Sequence, residues 1–150
     1  MQRNDNLIEI HMCDDDPDDR LLFKDAIDEA NMLNRISFTR DGQDLMDYLR
    51  REGEYKDMAE HTLPDIILLD LNMPRKDGRE ALKEIKGDAR LKHIPIVILT
   101  TSKQEEDVIK SYNLGANSYI SKPVTFEKLV ELVRKLSDYW FKIVKLPDHL

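Results

Sequence analysis

The sequence of 150 residues has a single cysteine, no surplus of positive charge and no long apolar run. One cysteine cannot form an internal disulfide, and Cys13 lies in an apolar segment, so we interpret it as a small buried hydrophobic residue rather than a reactive thiol. Lysine and arginine number 23 against 30 aspartates and glutamates, which gives a formal charge of -7. This balance disfavours nucleic acid and anionic membrane surfaces as partners, and favours a cation or another protein.

Neither a membrane span nor a secretion signal is visible in the sequence. No apolar run approaches the roughly 18 residues that a spanning helix needs, and the first residues, MQRNDN, are polar. We therefore expect a cytoplasmic protein. The length predicts one domain over residues 1–150, with a core at about 7–139 and an apolar, aromatic tail at 140–150.

Apolar segments predict five strands that alternate with five helices. The strands cover residues 7–13, 35–40, 66–69, 94–99 and 117–120. The helices cover about 17–31, 42–53, 78–90, 104–113 and 125–139. This alternation predicts an α/β protein with a doubly wound parallel sheet and helices on both faces.

Two segments carry more specific expectations about packing. The first helix has Leu22, Ala26 and Ala30 at four-residue spacing, with Phe23 and Ile27 on the adjoining stripe, which is typical of an amphipathic crossover helix. Residues 54–63 are charged and lack periodicity, so we interpret them as a surface insertion without assigned chemistry.

The stretch PDIILLDLNMPRKDG, residues 64–78, runs from a buried strand directly into Asp70 and then into a loop rich in proline and glycine. In open α/β sheets, ligands bind at the carboxyl ends of the strands, which is where Asp70 is predicted to lie. An unpaired charge in that position is costly. Asp70 should therefore be met by other functional groups.

Five aspartates follow the first strand, and they divide into two groups. Asp16 precedes Pro17 as a helix N-cap, and Asp18 and Asp19 complement the dipole of the first helical turn, so these three need no further function. The remaining two, residues 14 and 15, close an apolar strand side by side. Their mutual repulsion favours a bound cation.

The ends of the fourth and fifth strands supply Thr100 and Lys122. Carboxylates are hard ligands for Mg²⁺, while a hydroxyl and an ammonium can stabilise the charge of a transferring phosphoryl group. Asp70 would then serve as the nucleophile. Taken singly, Thr100 could be a strand-end hydroxyl and Lys122 a neutralising charge. A purely structural explanation would, however, need suitable residues at four strand ends by coincidence, so we favour one phosphoryl-transfer site.

These residues also match a known family. The match begins with the acidic pair Asp14 and Asp15 and continues with the segment LLDLNMPRKDG around Asp70. Thr100 follows 30 positions later, and Lys122 a further 22 positions on. Over nearly its whole length the sequence resembles the receiver domain of two-component response regulators. The resemblance implies a flavodoxin-like sheet with strand order 2-1-3-4-5.

The resemblance also implies roles for individual residues. Asp70 would be the phosphoacceptor for a phosphoryl group from a histidine of a sensor kinase, with Lys122 and Thr100 assisting. Mg²⁺ would be held by Asp14, Asp15, Asp70 and the main-chain carbonyl of Asn72.

A second set of implications concerns signalling. Thr100 and Tyr119 would form a switch pair that biases a surface made by the fourth helix, fifth strand and fifth helix. From the residues alone, Tyr119 is better interpreted as a core aromatic with a solvated hydroxyl. The Lys122–Pro123 bond would be a cis peptide.

Besides Asp16 in place of the usual asparagine, three features depart from a minimal receiver, namely His11 in a central strand, the insertion and the tail. We interpret His11 as a hydrogen-bonded or edge-facing residue rather than a pH sensor. The other two features resemble single-domain regulators that pair with bacterial phytochromes, which implies a bacteriophytochrome-type histidine kinase and a downstream protein as partners. The tail either packs back on the domain or forms a homodimer together with the last helix. Its apolar residues are Trp140, Phe141, Ile143, Val144 and Leu146.

We therefore expect a stand-alone response regulator that is not an enzyme, apart from slow hydrolysis of its own acyl phosphate. An alternative place in such a pathway is an intermediate of a phosphorelay. A Mg²⁺-dependent phosphatase with an aspartyl nucleophile is a further alternative, but Asn72 stands where its second acid would lie and no large cap insertion is present. A binding module with a relic site would take neither phosphate nor Mg²⁺.

Overall fold

A single sheet of five parallel strands lies at the centre of the molecule, for which a computed structural model describes residues 8–30, 34–58, 63–101 and 104–139. The strands are β1 (Ile8–Cys13), β2 (Asn34–Thr39), β3 (Ile66–Leu69), β4 (Ile96–Thr100) and β5 (Ser118–Ser121). Their order is β2-β1-β3-β4-β5, and all neighbouring pairs are parallel. The predicted flavodoxin-like order 2-1-3-4-5 is confirmed.

In the part of the chain that the structure describes, four α-helices connect successive strands and a fifth follows β5. They are α1 (Pro17–Glu29), α2 (Gly42–Arg50), α3 (Gly78–Lys86), α4 (Glu105–Asn113) and α5 (Phe126–Leu136). Helix α2 ends before the predicted Gly53 because Arg51 adopts a left-handed conformation with φ of 56°. Helix α3 ends before the predicted Arg90, where the Asp88 carboxylate accepts the Arg90 N–H and replaces a helical hydrogen bond.

Aspartate caps fix the beginnings of the first two helices. The Asp16 side chain accepts the N–H of Asp18, and Pro17 occupies the first helical turn, as predicted. Asp41 caps α2 by accepting the N–H of Asp44 at 2.8 Å. Each carboxylate satisfies a backbone donor that has no partner within the helix.

Two apolar layers cover the faces of the sheet. One layer joins β1, β3 and β4 to α2 and α3, and the other joins the opposite face of the sheet to α1 and α5. Helix α1 buries Phe23, Ala26 and Ile27, whereas Leu22 is 45% exposed. The two predicted stripes are therefore confirmed except at Leu22, because α1 turns Phe23, Ala26 and Ile27 toward the sheet and α5.

His11 and Cys13 are both fully buried in β1. His11 Nδ1 lies 2.7 Å from Ser37 Oγ, and Nε2 lies 2.8 Å from Thr39 Oγ1. Burial lowers the pKa of His11 to about 3, so the interpretation as a hydrogen-bonded core residue is confirmed. Cys13 donates its S–H to the Asp41 carbonyl at 3.3 Å, and burial raises its pKa to about 12, which confirms an unreactive thiol.

Residues 54–58 of the insertion lie in a 3₁₀ helix, Gly53–Met58, with no buried residue, as expected for a surface segment, whereas Leu63 at its end packs against the core. Tyr55 attaches the 3₁₀ helix to α2 by donating its hydroxyl to Asp44 Oδ1 at 2.7 Å. The expectations for residues 59–62 and for the tail 140–150 lie outside the described residues. None of the described helices has the length and apolar content of a membrane span.

Candidate functional site

Main-chain hydrogen bonds place the predicted functional residues along one edge of the sheet. Asp70 N–H donates to the Cys13 carbonyl at 3.1 Å, which sets Asp70 beside the end of β1. Lys122 N–H donates to the Thr100 carbonyl at 2.8 Å, which ties the residue after β5 to the end of β4. Because all strands are parallel, these residues meet at the carboxyl edge of the sheet.

Three carboxylates converge at this edge. Asp14, Asp15 and Asp70 each offer an oxygen, and these oxygens lie within 4.8 Å of one another. Asp14 is fully buried and Asp70 is 7% exposed, whereas Asp15 faces solvent. Hard oxygen ligands with one side open to water are what Mg²⁺ requires, since this ion keeps several of its own waters. The donor set therefore fits a divalent cation.

Asn72 lies two residues beyond Asp70 and is exposed. Its N–H donates weakly to Asp70 Oδ1 at 3.4 Å, so its main chain lies against the acidic group. The use of its carbonyl as a metal ligand remains a prediction.

The Lys122 ammonium neutralises part of the acidic group. Its Nζ lies 2.6 Å from Asp14 Oδ2, 2.8 Å from Asp19 Oδ2 and 3.2 Å from Asp70 Oδ2. An ammonium has three N–H donors, so each carboxylate can receive one. Burial alone would lower the pKa of Lys122, but the hydrogen bonds to Asp14 and Asp19 outweigh it and raise that pKa. The lysine is therefore charged.

The surroundings of Asp14 raise the pKa of its carboxyl group. Burial raises it to about 6, even though the hydrogen bonds from Lys122 and from the Asp16 N–H favour the charged form. The nearby Asp70 carboxylate also raises it. The protein alone thus leaves the Asp14 charge incompletely compensated, and a bound cation would compensate it.

The predicted switch residues lie on neighbouring strands. Thr100 is fully buried at the end of β4, and Tyr119 on β5 is partly buried against the core layer of α2 and α3. The Tyr119 N–H donates to the Tyr112 hydroxyl at 3.2 Å, which joins β5 to α4. Their action as a pair stays a prediction.

The loop between β3 and α3 is held closely against Asp70 and α2. A Cβ atom at Gly78 would lie 2.1 Å from the Asp70 carbonyl oxygen, so only glycine fits there. Arg75 has a left-handed φ of 60°, and its Nε and Nη2 donate to the two Asp41 oxygens at 2.8 and 3.0 Å. The loop that contains Asn72 is thereby attached to the beginning of α2.

The structure adds residues to the site that sequence reasoning missed. Asp19, which we assigned only to the helix dipole, contacts the Lys122 ammonium. Arg20 donates from Nη1 to the Asp14 carbonyl at 2.7 Å. The only sequence signal for both is their place in the first turn of a helix that begins beside Asp14.

The Lys122–Pro123 bond is trans, which corrects the expected cis form; the two forms differ by only about 1 kcal/mol for a bond before proline.

Comparisons with known proteins agree with this geometry. The sequence profile of the response regulator receiver domain matches residues 10–134. Response regulator Rcp1 of Synechocystis sp. is 39% identical over 138 residues, which are 92% of this chain and 92% of Rcp1.

Solved structures give the same result. The phosphorylated cyanobacterial phytochrome response regulator RcpA has a TM-score of 0.86 at 41% identity, over 94% of this chain and 99% of RcpA. The Mn²⁺-bound form of Rcp1 has a TM-score of 0.83 at 38% identity, with the same coverage of 94% and 99%.

Proposed function

The chain belongs to the response regulator receiver domain family, and we propose that Asp70 accepts a phosphoryl group from a histidine of a sensor kinase in a Mg²⁺-dependent reaction. The observation that carries the proposal is the position of Asp70. Its carboxylate lies among those of Asp14 and Asp15 and 3.2 Å from the Lys122 ammonium. Three carboxylates and an ammonium thus lie close together, which supports a nucleophile assisted by a metal ion and a lysine.

The chemistry follows from these groups. A carboxylate oxygen of Asp70 attacks the phosphorus of the phosphohistidine; the new O–P bond forms while the P–N bond breaks, and its electron pair stays on the imidazole nitrogen. Lys122 and Thr100 donate hydrogen bonds to phosphoryl oxygens as charge spreads over them. The product is an acyl phosphate. Water hydrolyses it slowly to the free carboxylate and inorganic phosphate, so the protein turns over no external substrate.

A metal completes the charge balance. Mg²⁺ would be held by Asp14, Asp15, Asp70 and the Asn72 carbonyl, and would neutralise charge on the phosphoryl oxygens. The Mn²⁺-bound form of Rcp1 supports a divalent cation in a receiver of this type. The choice of Mg²⁺ rests on the all-oxygen donor set.

The relatives and the exposed surface support the proposed partners. The likeness to a cyanobacterial phytochrome response regulator supports a phytochrome-type histidine kinase as the donor. Phosphorylation would move Thr100 and Tyr119 and change the surface formed by α4, β5 and α5, to which a downstream protein binds. In the described part of this surface, Ile109 and Tyr112 of α4 and Phe126 of α5 are exposed, as is Val124 between β5 and α5.

A second copy of the chain is a further proposed partner. The inward face of α5 buries Val130 and Val133 against the sheet, while Tyr139 beyond its end is 50% exposed. A homodimer through α5 and residues 140–150 would cover such exposed apolar surface. Light scattering measures the molar mass of the 150-residue chain and of a variant that ends at residue 139. A monomeric mass for both proteins would contradict the dimer.

The phosphoacceptor proposal is tested with acetyl phosphate, which supplies an activated phosphoryl group without a kinase. The wild type should be labelled in the presence of Mg²⁺, and Asp70→Asn should not. The matched control is Asp25→Asn, which removes an exposed carboxylate from α1 and should be labelled normally. Repeated turnover of phosphate esters by the wild type would instead support the phosphatase alternative.

A further inference from the structure

We propose that Asp19 is a positioning residue: it holds the Lys122 ammonium when a divalent cation takes the Asp14 and Asp70 carboxylates. The inference rests on the proposed function, because it concerns how the same site exchanges one cation for another. It assigns a specific role to a residue whose position in the chain suggested only a helix-dipole contribution.

The three partners of Lys122 are not equivalent. Asp14 and Asp70, at 2.6 and 3.2 Å from Nζ, belong to the group whose oxygens converge within metal-binding distance. Asp19, at 2.8 Å, does not belong to that group. It is therefore the one partner among the three that a metal ion does not require.

Metal binding creates a conflict at the ammonium. A divalent cation bound to Asp14 and Asp70 would repel the ammonium that contacts the same two carboxylates, so Lys122 must give up part of its contact with them. The Lys122 side chain is only 14% exposed, and an ammonium that loses its carboxylates there is not fully compensated by water. It needs a carboxylate that remains available.

Asp19 meets this requirement. It already receives one N–H from Lys122, and its side chain is 33% exposed in the first turn of α1, where it can follow a small shift of the ammonium. Without its charge, the remaining carboxylates of Lys122 are the two that the metal also needs. The metal must then displace the ammonium, and its affinity should fall.

Asp18 provides a matched control. It lies in the same first turn, carries the same charge and is exposed, but the partners of Lys122 in the described part of the chain are Asp14, Asp19 and Asp70. Asp18→Asn therefore measures the general effect of one fewer negative charge near the site. The difference from Asp19→Asn measures the contact with Lys122.

The experiment is calorimetric titration of the 150-residue chain with MgCl₂ at pH 7.5, with circular dichroism to show that each variant is folded. Asp19→Asn should raise the Kd about tenfold, as is typical when a residue that orients a metal site is removed. Asp18→Asn should raise it less than about twofold, because exposed charges are screened. Asp19→Glu, which restores the charge, should recover most of the affinity.

A double-mutant cycle separates positioning from simple electrostatics. In a Lys122→Met background, Asp19→Asn and Asp18→Asn should have equal, small effects on the Kd. Equal effects of the two in the wild-type background, or a tenfold effect of Asp19→Asn that persists without Lys122, would overturn the inference alone. A wild type that binds no Mg²⁺ would overturn the inference and the metal dependence of the proposed function together.

Discussion

Lys122 Nζ lies 2.6 Å from Asp14 Oδ2, although 108 positions separate the two residues in the chain. Because Asp14 is fully buried, Lys122→Met leaves a carboxylate without its main counter-ion. We expect the metal-free variant to lose about 2 kcal/mol of unfolding free energy, and Mg²⁺ to restore most of it. Urea unfolding with MgCl₂ and with EDTA measures both effects.

The control for this variant is Lys128→Met, which removes an exposed ammonium from α5. It should leave stability within about 0.5 kcal/mol of the wild type under both conditions. Equal losses of unfolding free energy in the two lysine variants would show that the buried contact with Asp14 contributes no more to stability than an exposed lysine does.

The buried His11 predicts a specific loss of stability in acid. Its folded pKa of about 3 lies below the ordinary value of 6.5, so between these values the unfolded chain binds a proton that the folded protein does not. Stability is therefore lost as the pH falls through this window. At pH 5.5, one unit below 6.5, His11 should contribute a loss of about 1.4 kcal/mol relative to neutral pH.

Urea unfolding of the wild type and of His11→Gln at pH 7.5 and 5.5 measures this contribution. The variant should lose about 1.4 kcal/mol less than the wild type between the two pH values. His93→Gln, which removes an exposed histidine, is the control. If the stability of His11→Gln depended on pH as strongly as that of the wild type, the assignment of this loss to His11 would be contradicted.

The close approach of Gly78 to the Asp70 carbonyl predicts that Gly78→Ala damages the site from outside it. The added Cβ would lie 2.1 Å from that oxygen and 2.8 Å from Leu71 Cα, so the backbone at Asp70 must shift. We expect a loss of about 2 kcal/mol in stability and slower labelling by acetyl phosphate. Gly87→Ala, whose nearest contact is 3.3 Å, should change neither by much.

The 3₁₀ helix of the insertion should depend on one hydroxyl. Tyr55→Phe removes the 2.7 Å hydrogen bond to Asp44, whose oxygens also accept the Arg40 N–H. We expect a loss of about 1 kcal/mol and faster amide exchange in residues 53–58. Unchanged exchange in this segment would show that other contacts attach it to α2.

The sequence predicted the buried strands well, since a short apolar run bounded by turn residues is typical of a strand covered on both faces. It placed the start of β4 at Ile94 rather than Ile96, because Pro95 is apolar yet cannot donate to the ladder. The strand order followed from the family resemblance, not from periodicity. In α1, periodicity predicted both Leu22 and Phe23 on the apolar side, and only packing against the sheet and α5 shows that Leu22 is exposed.

The candidate site was predicted as a set of residue types at strand ends, and the structure brings Asp14, Asp15, Asp70 and Lys122 together. What the sequence could not reveal was the pairing of side chains across long stretches of chain. The helix dipole already accounted for Asp19, so nothing pointed to Lys122, 103 positions away. The Arg75 contact with Asp41 was missed for the same reason.

The most direct test of the account is to locate the phosphoryl group. After treatment with acetyl phosphate and Mg²⁺, borohydride reduces an aspartyl phosphate to homoserine, which peptide mass spectrometry assigns to one position. We predict homoserine at position 70 alone, and none when acetyl phosphate is left out. Homoserine at position 14 or 15, or a phosphoryl group on a histidine, would contradict the assignment of Asp70 as the phosphoacceptor.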